Sequence, residues 1–197
     1  PKDPASDILR RRPARLLASE PVATAENSDD VEALVDAVLR LDHSALSVQG
    51  PPGTGKTYVG SHVIQRLVTD HGFRVGVVAQ SHAVVEHMLG RVIAAGVPAS
   101  RVGKAPKDAD AEVPFTVIPK NGVAAFAAEN AATGFVVGGT AWDFSHEGRV
   151  PRGSLDLLVI DEAGQFSLAS TIAVALAAPR LLLIGDPQQL PQVSQGT

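Results

Sequence analysis

The chain has 197 residues, 45% hydrophobic and 19% charged, which suits one compact globular domain. It has no cysteine, which excludes thiolate metal sites and disulfides and fits a cytoplasmic location, and no apolar run approaches the length of a membrane span. The formal net charge of −4 weighs against a module that lives by non-specific nucleic-acid binding, unless one groove is locally positive.

In chain order, residues 1–27 are rich in Pro, Ala and Arg without a clear period and read as a linker or loosely attached arm. The first residue is Pro1 rather than Met and no signal peptide is present, so the chain reads as an excised piece. Arg10, Arg11, Arg12 and Arg15 read as a solvated charge run ahead of a phosphate contact. Residues 28–197 read as one lobe. A helix is expected from Asn27 and Ser28, with Val31, Leu34, Val35, Val38 and Leu39 on one face.

Ser44 to Gln49 reads as a short strand that feeds Gly50-Pro51-Pro52-Gly53-Thr54-Gly55-Lys56-Thr57, a match to G-x-x-x-x-G-K-[ST]. Beyond it, Val59, Val63, Ile64, Leu67 and Val68 carry the spacing of a helix face. A glycine-rich loop between strand and helix lets backbone N–H groups converge on phosphate oxygens, and the helix adds its positive dipole end. In such a cradle Lys56 reaches the β- and γ-phosphates and the Thr57 hydroxyl binds Mg²⁺. A Gly-Pro turn capping a helix is the plain alternative, but the strand–helix context favours the phosphate reading.

Phe73 to Ala79 is a further apolar strand, ending at Gln80-Ser81-His82; the helix after it should turn Val84, Val85, Met88, Leu89 and Val92 inward. Lys104 to Ala111 reads as a polar loop, and Asn121 to Ala132 as a short helix. Phe135 to Thr140 is a fourth strand. Trp142, the sole tryptophan, reads first as core or hinge packing and second as a stacking platform for a base. The six histidines show no ligand-like spacing, so no zinc site is expected.

Leu155 to Ile160 reads as a strand buried on both faces, and Asp161-Glu162 leave its carboxyl end. Ligands of open α/β sheets gather outside those ends, so the two carboxylates should face the cradle. Asp161 suits Mg²⁺, through water, and Glu162 suits orienting or deprotonating an attacking water. Arg180 to Ile184 repeats the pattern, and in the Pro-bracketed segment that follows, the amide of Gln189 could sense the γ-phosphate. Apolar strands alternating with helices give an α/β fold, a three-layer α/β/α parallel sheet of the RecA-like P-loop NTPase type.

Gly50 to Thr57, Ser81 to Leu89, Asp161 to Gln165 and Gly185 to Pro191 together resemble the motifs of superfamily-1 helicases. The branch is that of the nonsense-mediated-decay helicases and the helicase-nucleases of Okazaki-fragment processing. Through Gly139 to Trp142 and Gln195 to Thr197 the likeness is nearest to bacterial proteins in which such a helicase follows a RecB-like nuclease. The resemblance covers roughly residues 45–197, the first motor lobe. It implies ATP and Mg²⁺ as cofactors and Lys56, Glu162 and Gln189 as catalytic residues. It further implies sugar-phosphate contacts from Ser81, His82 and Thr140, although Ser81 also reads as a helix cap and His82 as a solvated surface residue. The expected partners are single-stranded nucleic acid, DNA ahead of RNA, a second RecA-like lobe in the parent chain and a fused nuclease, with movement 5′ to 3′ and no membrane. Lacking that lobe and its arginines, the piece should bind nucleotide but turn it over slowly. A nucleotide-dependent switch or scaffold that regulates a nuclease or partner is the alternative. The chain departs from the branch at Gln192 (usually proline), Val84 (alanine) and Glu86 (aspartate). With no glutamine before Gln49, it also lacks the usual adenine reader, so preference among triphosphates is not fixed.

Overall fold

The computed structural model describes residues 2–17, 31–49, 55–108 and 110–185. Among them are seven strands: β1 (Ala45–Gln49), β2 (Arg74–Val78), β3 (Val102–Lys104), β4 (Thr116–Val117), β5 (Phe135–Gly139), β6 (Leu157–Ile160) and β7 (Leu181–Gly185). The helices are α1 (Pro4–Leu9), α2 (Val31–Arg40), α3 (Lys56–His71), α4 (His82–Ala95), α5 (Val123–Glu129), α6 (Ala141–Ser145) and α7 (Leu168–Val174). Every strand pair is parallel, in the order β1-β7-β6-β2-β5-β3-β4. The fold is a RecA-like α/β lobe.

Strand alternation sorts the core into two layers. Val75, Val77, Leu157, Val159, Leu182 and Ile184 face one way and pack with Leu34, Val38, Ile64, Leu67, Met88 and Val92 from α2, α3 and α4. Val78, Val137, Leu158, Ile160 and Leu181 face the other way, with Phe126 of α5, Phe144 of α6 and Val174 of α7. A strand covered on both sides must be apolar at every position, which is why these segments read as continuous hydrophobic runs. At β2, Gly76 sits where a Cβ would come within 2.7 Å of both Leu155 and Phe144 side chains.

Several expectations change. Val84 packs against the core only in part, whereas Val85, Met88, Leu89 and Val92 are fully buried in it. Lys104 closes β3 and is buried, so the polar loop starts one residue later. Arg15 is no solvated charge: its guanidinium donates to both Asp7 carboxylate oxygens at 2.7 Å, and Asp7 is itself buried. Ser44 Oγ donates to Asp7 at 2.8 Å and accepts from the Arg15 amide at 3.0 Å, which fixes residues 2–17 to the start of β1. The expected helix start at Asn27 and Ser28, and the boundary at 27/28, lie outside the described residues; α2 is helical from Val31.

Candidate functional site

Register places the candidate residues along one edge. Gln49 pairs with Gly185, Ile160 with Leu183, and Val78 with both Ile160 and Gly139. The chain therefore leaves β1, β7, β6, β2 and β5 at the same carboxyl-terminal edge, and Lys104 ends β3 there too. At about 4.8 Å between neighbouring strands, β1 and β6 lie about 10 Å apart with β7 between them. The edge has two halves. The β1-β7-β6 half carries the phosphate and metal candidates, and the β2-β5-β3 half carries the nucleic-acid candidates.

On the first half, Gly55 is the N-cap of α3 in the left-handed region, φ 78°, and its carbonyl accepts from the Val59 amide at 2.9 Å. Such a φ suits glycine, which has no side chain of its own to cap the first N–H groups of α3. Lys56 and Thr57 are the first two residues of that helix and are half-buried. The remaining cradle residues, Gly50, Pro51, Pro52, Gly53 and Thr54, lie outside the described residues, as does Gln189 with the rest of its loop. Gly60 seats α3 against β7: a Cβ there would come within 2.7 Å of Ile184 Cδ1.

Asp161 follows β6 and is 4% exposed. Burial pushes its carboxyl up to about 6, helped by the neighbouring Glu162 charge and opposed by the Glu162 amide, His87 and Lys56. The charge of Lys56 thus acts on Asp161 across the gap between α3 and β6. Asp161 Oδ1 accepts the Glu162 N–H at 2.8 Å. Glu162 is exposed and left-handed, φ 49°, a rare state for a residue with a Cβ that recurs at functional sites. A carboxylate and a hydroxyl are hard oxygen donors, and they fit an ion that keeps most of its water, as Mg²⁺ does. Among the described residues no cluster of three or more His, Cys, Asp or Glu could hold a metal alone.

On the second half, Ser81 caps α4, its hydroxyl accepting from the Val84 amide at 3.3 Å, and remains exposed. His82 is half-buried, and the buried Lys104 ammonium lies 2.9 Å from its Nδ1. Burial, and then the Lys104 charge, push the His82 pKa below its ordinary value. Thr140 forms a capping box with Asp143 at the start of α6, its hydroxyl donating to Asp143 Oδ2 at 2.8 Å. Asp143 in turn pairs with Arg149. As an acceptor Thr140 Oγ1 already serves the Asp143 amide, so a phosphate contact there requires the hydroxyl proton to turn away from Asp143. Trp142 is 63% exposed with its ring beside His146, which overturns the core-packing reading. Sequence reasoning missed Lys104: a lysine beside Ala, Pro and Lys carries no periodic signal of burial.

The family model described as an AAA domain matches residues 27–197, and the chain belongs to that family. It is 28% identical over 173 residues to the DNA replication ATP-dependent helicase/nuclease JHS1 of Arabidopsis thaliana, covering 87% of this chain and 13% of that protein. It is 28% identical over 161 residues to the DNA replication ATP-dependent helicase/nuclease DNA2 of Saccharomyces cerevisiae, covering 80% and 10%. To the Drosophila melanogaster regulator of nonsense transcripts 1 homolog it is 32% identical over 118 residues, covering 59% and 10%. The chain therefore spans about a tenth of the length of these relatives. The UvsW helicase from bacteriophage T4 shares the fold, with TM-score 0.55 at 11% identity over 92% of this chain and 59% of that one. The resemblance to the first lobe of superfamily-1 helicases, carried by the motifs, agrees with the family model and the sequence relatives. No helix among the described residues is long and apolar enough to cross a membrane.

Proposed function

We propose that the chain is the ATP-binding motor lobe of a superfamily-1 helicase or translocase acting on single-stranded nucleic acid, DNA ahead of RNA, with 5′ to 3′ movement. One observation carries the reading: a single sheet edge bears Lys56, Thr57, Asp161 and Glu162 on one half and Ser81, His82 and Thr140 on the other, with β2 and β6 adjacent at the join. The relatives named as DNA replication helicase/nucleases support it. Mg²⁺-ATP is held by residues 50–57 and Asp161; the ion supplies charge neutralisation at the phosphates. Lys56 binds the phosphate tail, Glu162 orients the attacking water, and Gln189 reports the γ-phosphate. A second RecA-like lobe of the parent protein supplies arginines across the cleft, and a nuclease of the RecB-like kind accompanies it, in the cytoplasm.

Two measurements test this. Lys56→Ala should lose binding of a fluorescent ATP analogue with the fold intact by circular dichroism; unchanged binding refutes the phosphate site. In the full-length parent, single-stranded DNA should stimulate ATP hydrolysis. ATPase indifferent to nucleic acid would replace the motor by a nucleotide-dependent switch.

A further inference from the structure

Lys104 has a side chain 1% exposed, and a lysine that deep is tolerated only when its charge and donors are met. All three of its N–H donors have partners: His82 Nδ1, Glu86 Oε1 and the Ala105 carbonyl, each at 2.9 Å. Its stem passes Gly138 of β5, where a Cβ would stand 3.3 Å from Lys104 Cδ. An ammonium carries no lone pair, so His82 Nδ1 must be the acceptor. The neutral ring then holds its proton on Nε2. His82 and Glu86, with Lys107 and Asp108, line an open hollow of about 470 Å³ beside the start of α4.

We propose that Lys104 is a positioning residue for nucleic-acid binding: from beneath, it locks His82 as the Nε2–H tautomer, so that the ring offers a neutral donor to a backbone phosphate, and it neutralises Glu86 next to that phosphate. This rests on the reading of His82 as a backbone contact given above. Charges reach the ring from each surrounding element: Lys104 of β3 and Lys107 of the loop after it oppose its protonation, while Glu86 of α4 and Asp143 of α6 favour it. Lys104 thereby favours the neutral ring over the protonated one, and it puts to use the glutamate that departs from the family's aspartate.

Long-range ¹H–¹⁵N spectra of the labelled 197-residue chain, with the His82 signals assigned from His82→Gln, read the tautomer directly. The unsubstituted chain should show Nε2–H and a His82 titration displaced below that of an exposed histidine. Lys104→Met fills the space of the stem but frees Nδ1 and removes the cation that pairs with Glu86, leaving Lys107 alone to oppose the Glu86 and Asp143 charges at the ring. Its affinity for oligo-dT, by fluorescence anisotropy, should fall about tenfold at neutral pH, the scale of one hydrogen bond to a charged group, and improve on acidification. An Nδ1–H ring, or ordinary titration of His82 in the unsubstituted chain, overturns the role of Lys104 even if the methionine variant fails to fold. A locked Nε2–H ring with oligo-dT affinity unchanged in His82→Gln, or absent throughout, instead overturns the backbone contact, and the proposal with it.

Discussion

Asp161→Asn should stabilise the nucleotide-free protein while removing its response to Mg²⁺-ATP. Burial raises the Asp161 carboxyl from its ordinary 3.8 to about 6. Between those values the native state holds a proton that the unfolded chain has released, so stability falls as pH rises through this window and the full cost is carried above it. At roughly 1.4 kcal/mol per tenfold change in proton affinity, the cost at neutral pH is about 3 kcal/mol. Asparagine keeps an oxygen for the Glu162 amide and carries no charge to desolvate. For a chain of this size the gain is a melting temperature higher by roughly 6–12 °C at neutral pH. Differential scanning calorimetry from about pH 4.5 to 7.5 should show the parent losing stability relative to the variant as pH rises across the window. Added Mg²⁺-ATP at a hundred times its Kd should stabilise the parent by about 2.7 kcal/mol and the variant by much less. Equal melting temperatures at neutral pH, with parallel pH profiles, would refute the reasoning that Asp161 is held against its own desolvation.

Glu162→Gly should relieve the left-handed backbone at φ 49° and stabilise the fold by about 1 kcal/mol, while the full-length variant loses ATP hydrolysis. Urea melts and a coupled ATPase assay check the two halves, and a destabilised variant would count against stored strain there. Asp7→Ala should cost about 3 kcal/mol, because Arg15 loses both of its carboxylate bonds and the buried Ser44 hydroxyl loses its acceptor. An unchanged urea midpoint would show that the contact of residues 2–17 with β1 contributes nothing.

In the nucleotide half of the edge, β6 and β7 were legible because burial on both faces forces an unbroken apolar run, as in Leu157 to Ile160 and Leu181 to Ile184. The glycine-rich loop was legible because its chemistry dictates its spacing. Strand order was not, since nothing in residues 181–185 announces that β7 inserts between β1 and β6. The short strands β3 and β4 escaped because three and two residues are too few for a period to register. The partners of Asp7 and Lys104 escaped for another reason: Ser44 is 37 positions from Asp7, and His82 is 22 from Lys104, so only the folded chain brings them together. Trp142 was misjudged because a lone indole in an apolar segment reads as core, whereas α6 turns it outward.

The order of the strands also governs how the protein can be made. β1 and β2 leave the ribosome early, yet two places between them stay vacant until residues 157–185 have been synthesised. Throughout that interval the nascent chain exposes unpaired strand edges and apolar faces that have nothing to cover them, the condition in which growing polypeptides aggregate or recruit chaperones. Filling those two places needs contacts between strands far apart in the chain, and non-local pairing of that kind slows folding.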